Sequence, residues 1–497
     1  MARARHRERE GRGAVAVEDR STSQGTIKTD LRENAVSLPG MLMQGIATIA
    51  PSYAILASFV FIVGFAGIVT PWAYVFGGAL LALQALSAAQ LAKVFPSAGG
   101  WYTWIARALH PRAGFFAGVF FSVWLPPVGA LTLSLLGKTV LEPAIEEEYG
   151  VTIPWWIWVV AGLALVIWWA YAGIVVSERL LIITGTIEIV LMVALAISAL
   201  ASPGPGGFSF APLNPGNFSL ASNLFLGVVF SIFAFSGWES TGPLAEESRN
   251  PRRNVPIGLV GSVLILMLYF VFVTWGYLVG FGVDNVGQIS FDIPFPVTTV
   301  AQRVWGGAWV LLLFALLNSA IAVSIACFNG GTRTWYGMGR SGALPSALGK
   351  VTPSRRTPDN AIHLQVAVNV VAFVLVLIFG AEDTFFSWAN MITLGLISMY
   401  LLANIGVAKY YLTEARDQFN PLLHIVVPAI ASAAGLVVVW KSYFSPFQST
   451  GPVYWGLMLY IVLVVITVLA LVFLRVRGRE DWLRKAQLVF EESGGGH

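Results

Sequence analysis

From Leu38 to Arg475 the chain is a succession of long apolar runs separated by short polar stretches. The runs lie near residues 38–64, 71–92, 113–137, 154–174, 180–200, 222–244, 256–281, 304–332, 361–380, 384–404, 421–440 and 453–474. Runs of about 20 apolar residues match a hydrocarbon core roughly 30 Å thick at 1.5 Å per helical residue. The pattern therefore predicts an all-α polytopic membrane protein with twelve transmembrane helices.

Two of these runs are not simple spans. The first reads Met41-Leu-Met-Gln-Gly-Ile-Ala-Thr-Ile-Ala-Pro-Ser52, with Gln44, Gly45, Thr48 and Pro51 where only Leu, Val and Phe would be expected. Proline lacks an N–H and its ring clashes with the carbonyl four residues back, so Pro51 should free backbone groups around Ala47. The sixth run contains Phe233-Ala-Phe-Ser-Gly-Trp-Glu-Ser-Thr-Gly-Pro243, again small, polar and helix-breaking. A proline kink with a packed glycine would explain either one alone. Non-helical backbone at membrane depth must be buried in protein or line a cavity, and a pair of interruptions five helices apart predicts a transporter.

Composition agrees: hydrophobic residues make up 56% of the chain and charged residues 11%, against about 25% charged in an ordinary soluble domain. With both termini cytoplasmic, all of the 30 Lys and Arg except Lys138, Arg303 and Lys441 fall on the inner side, as the positive-inside rule requires. Losing or adding one helix would scatter them. The calculated pI near 9.1 thus reads as topology in a plasma membrane and contact with anionic inner-leaflet lipid, with no nucleic-acid partner implied.

Residues 1–37, rich in Arg, Glu and Gly, are expected to form a disordered cytoplasmic tail rather than a secretory signal. Residues 475–497 read as a second tail in which Trp482 to Phe490 could form a short helix on the membrane surface. The single cysteine, Cys327, excludes an intramolecular disulfide and is expected to be a small apolar core residue. Gly137-Lys138-Thr139 lacks the earlier glycine of a phosphate-cradling loop, and no paired-Cys or His-Glu-x-x-His motif offers a metal site. His363 and His424, near helix starts, are expected in structural interfacial roles. Asn217-Phe-Ser matches a glycosylation triplet of a kind common by chance. An enzyme is not expected, and no cofactor beyond a coupling proton or Na⁺.

Two carboxylates fall inside predicted spans, where a charge at the bilayer centre costs at least about 2.5–3.5 kcal/mol. Glu188 lies nine residues past Arg179 at the inner edge, hence about 13 Å deep, near the midplane. Glu239 follows the interruption of the sixth run, some seven residues before Glu246 at the inner edge. Either is a candidate for proton or cation coupling; the alternative is a neutral Glu hydrogen-bonded to a neighbouring helix for structural reasons.

The run Phe235-Ser-Gly-Trp-Glu-Ser-Thr-Gly-Pro-Leu-Ala-Glu-Glu-Ser-Arg-Asn-Pro-Arg-Arg-Asn-Val-Pro256 resembles the sixth-helix signature of the amino acid/polyamine/organocation (APC) superfamily of transporters. Arg333-Thr-Trp-Tyr-Gly-Met-Gly-Arg-Ser-Gly-Ala-Leu-Pro345 resembles their segment after the eighth helix. Phe95-Pro-Ser-Ala-Gly-Gly-Trp-Tyr-Thr-Trp104, with Ala108-Leu-His-Pro and Gly114, resembles their stretch between the second and third. Thr357-Pro358 before the ninth helix adds a further match, in the right order. The resemblance implies two five-helix repeats, 38–200 and 222–410, followed by two extra helices within 421–474. Five is odd, so the second repeat is inverted relative to the first, and each begins with an interrupted helix.

The resemblance also implies a site between the breaks, where N–H groups of the first hold a substrate carboxylate and carbonyls of the sixth its amino group. Carried over by position, these are Gln44, Gly45, Ile46, Ala47 and Thr48, and Phe233, Ala234, Phe235, Ser236 and Gly237, with Phe233 as an aromatic gate. Glu188 aligns with a fifth-helix position that in proton-coupled members carries a lysine in place of sodium. One departure bears on the substrate: many amino acid members have a Gly-Ser-Gly type segment at the first break, and this chain has Gln44-Gly45-Ile46-Ala47. Its Gly-Ile-Ala-Thr-Ile-Ala-Pro is closer to amine and putrescine importers, for which Glu239 would suit a cationic substrate. The expectation is a secondary active transporter of amino acids, with a polyamine or amine importer or an exchanger second, and a non-transporting nutrient receptor as the reading from another class. No filter motif indicates a channel. Oligomeric state stays open; Gly114-x-x-x-Gly118 reads as internal packing.

Overall fold

The computed structural model describes residues 26–27, 29–289, 296–444, 451–478, 481–487 and 489–490. It is helical almost throughout. Among the described residues, eleven helical stretches are long and apolar enough to cross a membrane. The first, Leu38–Ala92, is 55 residues long, about twice what one crossing needs. It joins the two runs that the sequence pattern separates, as α1 (Leu38–Ile49), α2 (Pro51–Ala66) and, after a short turn at Gly67–Val69, α3 (Thr70–Ala92).

The loop after α3 is itself partly helical. The stretch α4 (Trp101–Ala108) buries Trp101, Tyr102 and Trp104 completely. The third span is split into α5 (Pro111–Trp124) and α6 (Val128–Leu136), a break that the pattern of apolar runs does not anticipate. Its cause is Pro126-Pro127, which can donate no backbone hydrogen bond. Asn369 mends it from across the bundle, donating to the Pro126 carbonyl (2.6 Å) and accepting from the Ala130 N–H (2.9 Å). A wide turn then leads into α7 (Glu142–Tyr149).

The chain continues through α8 (Trp155–Ala172), α9 (Ile174–Ala201) and α10 (Leu224–Ala234), which passes into a tight 3₁₀ segment over Trp238–Glu247. It proceeds through α11 (Pro251–Phe281), α12 (Pro296–Trp305), α13 (Val310–Ser341), α14 (Asp359–Phe379), α15 (Ala381–Thr413), α16 (Val427–Val439) and α17 (Gly451–Val476). The helices α1–α3, α5, α6, α13 and α15 form the interior, whereas α8, α14, α16 and α17 keep most of their surface outward. Those outward faces carry large apolar side chains such as Trp168, Leu377 and Leu469, as lipid contact requires. A site for a polar solute therefore has to lie among the inner helices.

Of the expected amino-terminal tail, residues 1–25 lie outside the described residues, but Thr29 to Ser37 is packed. Val36 donates to the Glu247 carbonyl (2.8 Å) and accepts from the Arg249 N–H (3.0 Å), and Leu31 is buried. Ser37 caps α1 and donates from both N–H and hydroxyl to Glu178 Oε1 (2.8 and 2.5 Å). The expected helix over Trp482 to Phe490 is only α18 (Trp482–Lys485). It is anchored because Trp482 is buried against Phe115, and beyond it Val489–Phe490 pairs in parallel with Thr26–Ile27. His424 stacks on Tyr411 at 3.5 Å between ring centroids and accepts from the Asn420 N–H, a structural role. Gly114 and Gly118 face α4 and Met338 of the same chain.

Candidate functional site

The interruptions of the first and sixth spans meet inside the bundle. Helix α1 ends at Ala50, a non-glycine residue in the left-handed region (φ 58°, ψ 73°), and Pro51 opens α2. That conformation costs on the order of 1–2 kcal/mol. It is held by the Ala50 N–H to the Ile46 carbonyl (3.0 Å) and the Ala54 N–H to the Ala50 carbonyl (2.7 Å). The expected break at Gln44–Thr48 is thus displaced by a turn, since α1 is helical through that stretch. The reason is the proline itself: at the first position of a new helix its missing N–H is no loss, so the chain breaks immediately before it.

In the sixth span the interruption falls at Phe235–Gly237, within the expected stretch. Gly237 has φ 135°. A Cβ on it would sit 2.5–2.7 Å from the backbone of Thr48 and Ile49, so the two broken segments touch through their main chains at a point where only glycine fits.

Beside this contact lies a cavity of about 80 Å³. Thr48, Ile49 and Ala50 from the first break and Phe233, Ala234 and Ser236 from the sixth form one side. The remaining wall is apolar and aromatic: Tyr53 of α2, Trp124 and Leu131 of the third span, Cys327 of α13, and Phe385 and Trp388 of α15. Two wall residues, Tyr53 and Trp388, carry buried polar atoms with no hydrogen-bond partner among the described residues. Cys327 is buried as expected, but as wall rather than remote core.

The other expected residues stand behind this wall. Gln44 donates to Ser240 (3.2 Å) and the Ala326 carbonyl (2.8 Å) and accepts from Asn329 (3.3 Å). Thr48 joins the same network through Ser240 (2.6 Å). Gly45 packs against Ser262 and Thr241, and Ile46 and Ala47 are buried. Phe235 is turned into the core, edge-on to Phe270 at 5.0 Å.

Glu188 is buried at the midpoint of α9 and caps α2: the Ser52 N–H donates to its Oε1 (2.7 Å), and Asn318 lies 3.5 Å from Oε2. The next N–H, that of Tyr53, donates to Ser319 (3.2 Å). With proline at the first position, the donors that open α2 are therefore already engaged. Glu239 is also buried; its Oε2 accepts from the Gly237 N–H (2.8 Å) and its Oε1 from the Tyr400 hydroxyl, among Trp101 and Trp238. It holds the break from the side away from the cavity wall. Beyond it, Glu246 pairs with Arg340 and Glu247 with Arg333 (2.7 Å), closing the bundle between the 3₁₀ segment and the end of α13.

Backbone interruptions converging on a largely apolar cavity inside a helical membrane bundle define a solute transporter. Residues 37–470 match the amino acid permease family. The glutamate/serine transporter AimA of Bacillus subtilis (strain 168) is 24% identical, over 74% of this chain and 70% of that protein. The low-affinity putrescine importer PlaP of Escherichia coli (strain K12) is 24% identical over 80% and 85%. The branched-chain amino acid permease BcaP of Lactococcus lactis subsp. cremoris (strain MG1363) is 24% identical over 76% and 82%. The chain belongs to the amino acid permease family, whose members are multi-pass membrane transporters rather than enzymes.

Proposed function

We propose that this protein is a secondary active transporter that carries an amino acid across the plasma membrane by alternating access. The observation that carries the reading is the contact of Gly237 with Thr48 and Ile49, which joins two broken spans at the edge of a cavity. Carbonyl ends of α1 and α10 converge there and suit an ammonium group.

Glu188 is the coupling residue in this reading. It is the buried carboxylate that ties α9 to the start of α2 beside Ser319 and Asn318 of α13, so gain of a proton or of Na⁺ there changes what holds three helices together. Glu239, bonded to Gly237 and Tyr400, is the second candidate. The expected result is that Glu188→Gln in proteoliposomes loses gradient-driven accumulation and keeps solute exchange. Equal loss of both in a protein with a normal melting curve would remove Glu188 from coupling.

A second reading, an amine importer, is favoured by one observation: the α2 donors that would take a substrate carboxylate are held by Glu188 and Ser319. Labelled solute flux decides among these readings, and binding without accumulation would favour a receptor instead.

The fold proposed with this function has twelve crossings, the 55-residue stretch supplying two. They form inverted five-helix repeats within 38–200 and 222–410, then two more helices within 421–474, with both termini cytoplasmic. Parallel pairing of Thr26–Ile27 with Val489–Phe490 supports an even number of crossings.

A further inference from the structure

We infer that the body of the transported molecule, apart from its ammonium and any carboxylate, is uncharged and apolar, of branched-chain or aromatic size; the inference rests on reading the cavity as the substrate site. Among the described residues, its wall contains no Asp, Glu, Lys, Arg or His. A side-chain charge entering it would be desolvated with no counter-ion. The two carboxylates at the breaks do not serve, because Glu239 faces Gly237 and Tyr400 and Glu188 faces Ser52, both behind the broken segments. Aromatic faces attract a cation, but the ammonium common to these substrates already claims that attraction together with the carbonyl ends of α1 and α10.

Two of the wall hydroxyls point the same way. Thr132 is bonded to the Val128 carbonyl (2.7 Å) and Thr48 to the Gln44 carbonyl (2.7 Å), so neither is held ready for a polar side chain. Apart from the Ser236 hydroxyl and the unpartnered Tyr53 hydroxyl and Trp388 N–H, which offer hydrogen bonds but no counter-charge, what remains is apolar contact, where each methylene buried is worth about fourfold in affinity. Leucine, with three more side-chain carbons, should then outbind alanine by up to roughly sixtyfold. Size and charge thus select together.

The test is competition in proteoliposomes carrying the full chain, with thermal stabilisation of the same protein as the binding readout. The panel is leucine, phenylalanine, alanine, serine, glutamate, lysine, putrescine and phenethylamine. Displacement by leucine or phenylalanine at concentrations tenfold or more below glutamate, lysine and putrescine is the expected result. Glutamate, lysine or serine winning would overturn the inference while leaving amino acid transport standing. Phenethylamine winning over all amino acids would keep the apolar body and overturn the amino acid reading. No stabilisation by any of them, in a protein with a single cooperative melt, would overturn both.

A gain-of-function variant guards against an ambiguous loss. Val128 lies on the wall at the first position of α6, where a helix tolerates a carboxylate. Val128→Asp should weaken leucine competition about tenfold and let lysine compete; unchanged selectivity in the folded variant would show that the wall does not set it.

Discussion

At the scale of single residues, the closest constraint at the site is the space around Gly237. Backbone atoms of Thr48 and Ile49 occupy the position of a Cβ, and φ is 135°. Backbone cannot swing away as a side-chain tip can, so Gly237→Ala combines conformational strain of about 1–3 kcal/mol with separation of the two breaks. Uptake should fall to background even if detergent-purified protein still melts cooperatively. Gly64 supplies the control, because a methyl added there would meet no atom within 4 Å and its φ is not left-handed: Gly64→Ala should leave uptake and melting temperature unchanged. Wild-type uptake by Gly237→Ala would mean that the contact is incidental. The chemistry-bearing residues are unevenly legible in the sequence. Glu188 stands out because a carboxylate at midspan has no bland neighbours to hide among, whereas the aromatic wall of Trp124, Phe385 and Trp388 does not. In an apolar helix a ring that lines a cavity has the same composition and period as one that faces lipid.

Among the elements, the 3₁₀ segment Trp238–Glu247 is fixed to α13 by two ion pairs, the buried Glu247 with Arg333 and the partly buried Glu246 with Arg340. Breaking one partner of a buried pair leaves an uncompensated charge and costs about 3–5 kcal/mol, while replacing both by apolar groups of similar volume is often near neutral. Arg333→Met alone should therefore lower the melting temperature sharply, and Arg333→Met with Glu247→Leu should recover most of the loss. A double variant no more stable than the single one would show that the hydrogen bonds, not the charge balance, hold the segment. Hydrophobic runs locate the helices well, and the interruption at Phe235–Gly237 falls where glycine and small polar residues put it. The interruption of the first span lies a turn beyond its expected place because Pro51 begins the helix ahead instead of disturbing the helix behind. The break in the third span is marked by Pro126-Pro127 yet hidden within a continuous apolar run, because the residue that repairs it, Asn369, is 243 positions from Pro126 and no local pattern connects them. Packing of Thr29 to Ser37 is concealed for the same reason, since a polar segment gives no hydrophobic signal of what it covers.

For the whole molecule, crossing number and orientation are a single question. Both chain ends contact the same end of α13: the Asp30 N–H donates to Tyr336, and Trp482 packs beside Gly342. They also pair with each other. Ends held together on one side of a membrane are what the proposed even number of crossings requires, with the twelfth inside one of the eleven apolar stretches. The 55-residue stretch is the longest and is broken by a turn at Gly67–Val69, so in the proposed topology it supplies two. The proposed topology, with the basic residues inside, puts Lys138 and Lys441 outward and Arg253 and Lys350 inward, and all four are exposed. Removal of Cys327, the single cysteine, by Cys327→Ser gives a background for labelling with a membrane-impermeant maleimide. Lys138→Cys and Lys441→Cys should react on intact cells; Arg253→Cys and Lys350→Cys should react only after permeabilisation. Reaction of Lys138→Cys and Arg253→Cys from the same side would break the alternation between the third and seventh spans. It would also dissolve the inverted repeat, because two halves that enter the membrane in the same sense cannot bring the carbonyl ends of their broken first helices to a common cavity from opposite directions.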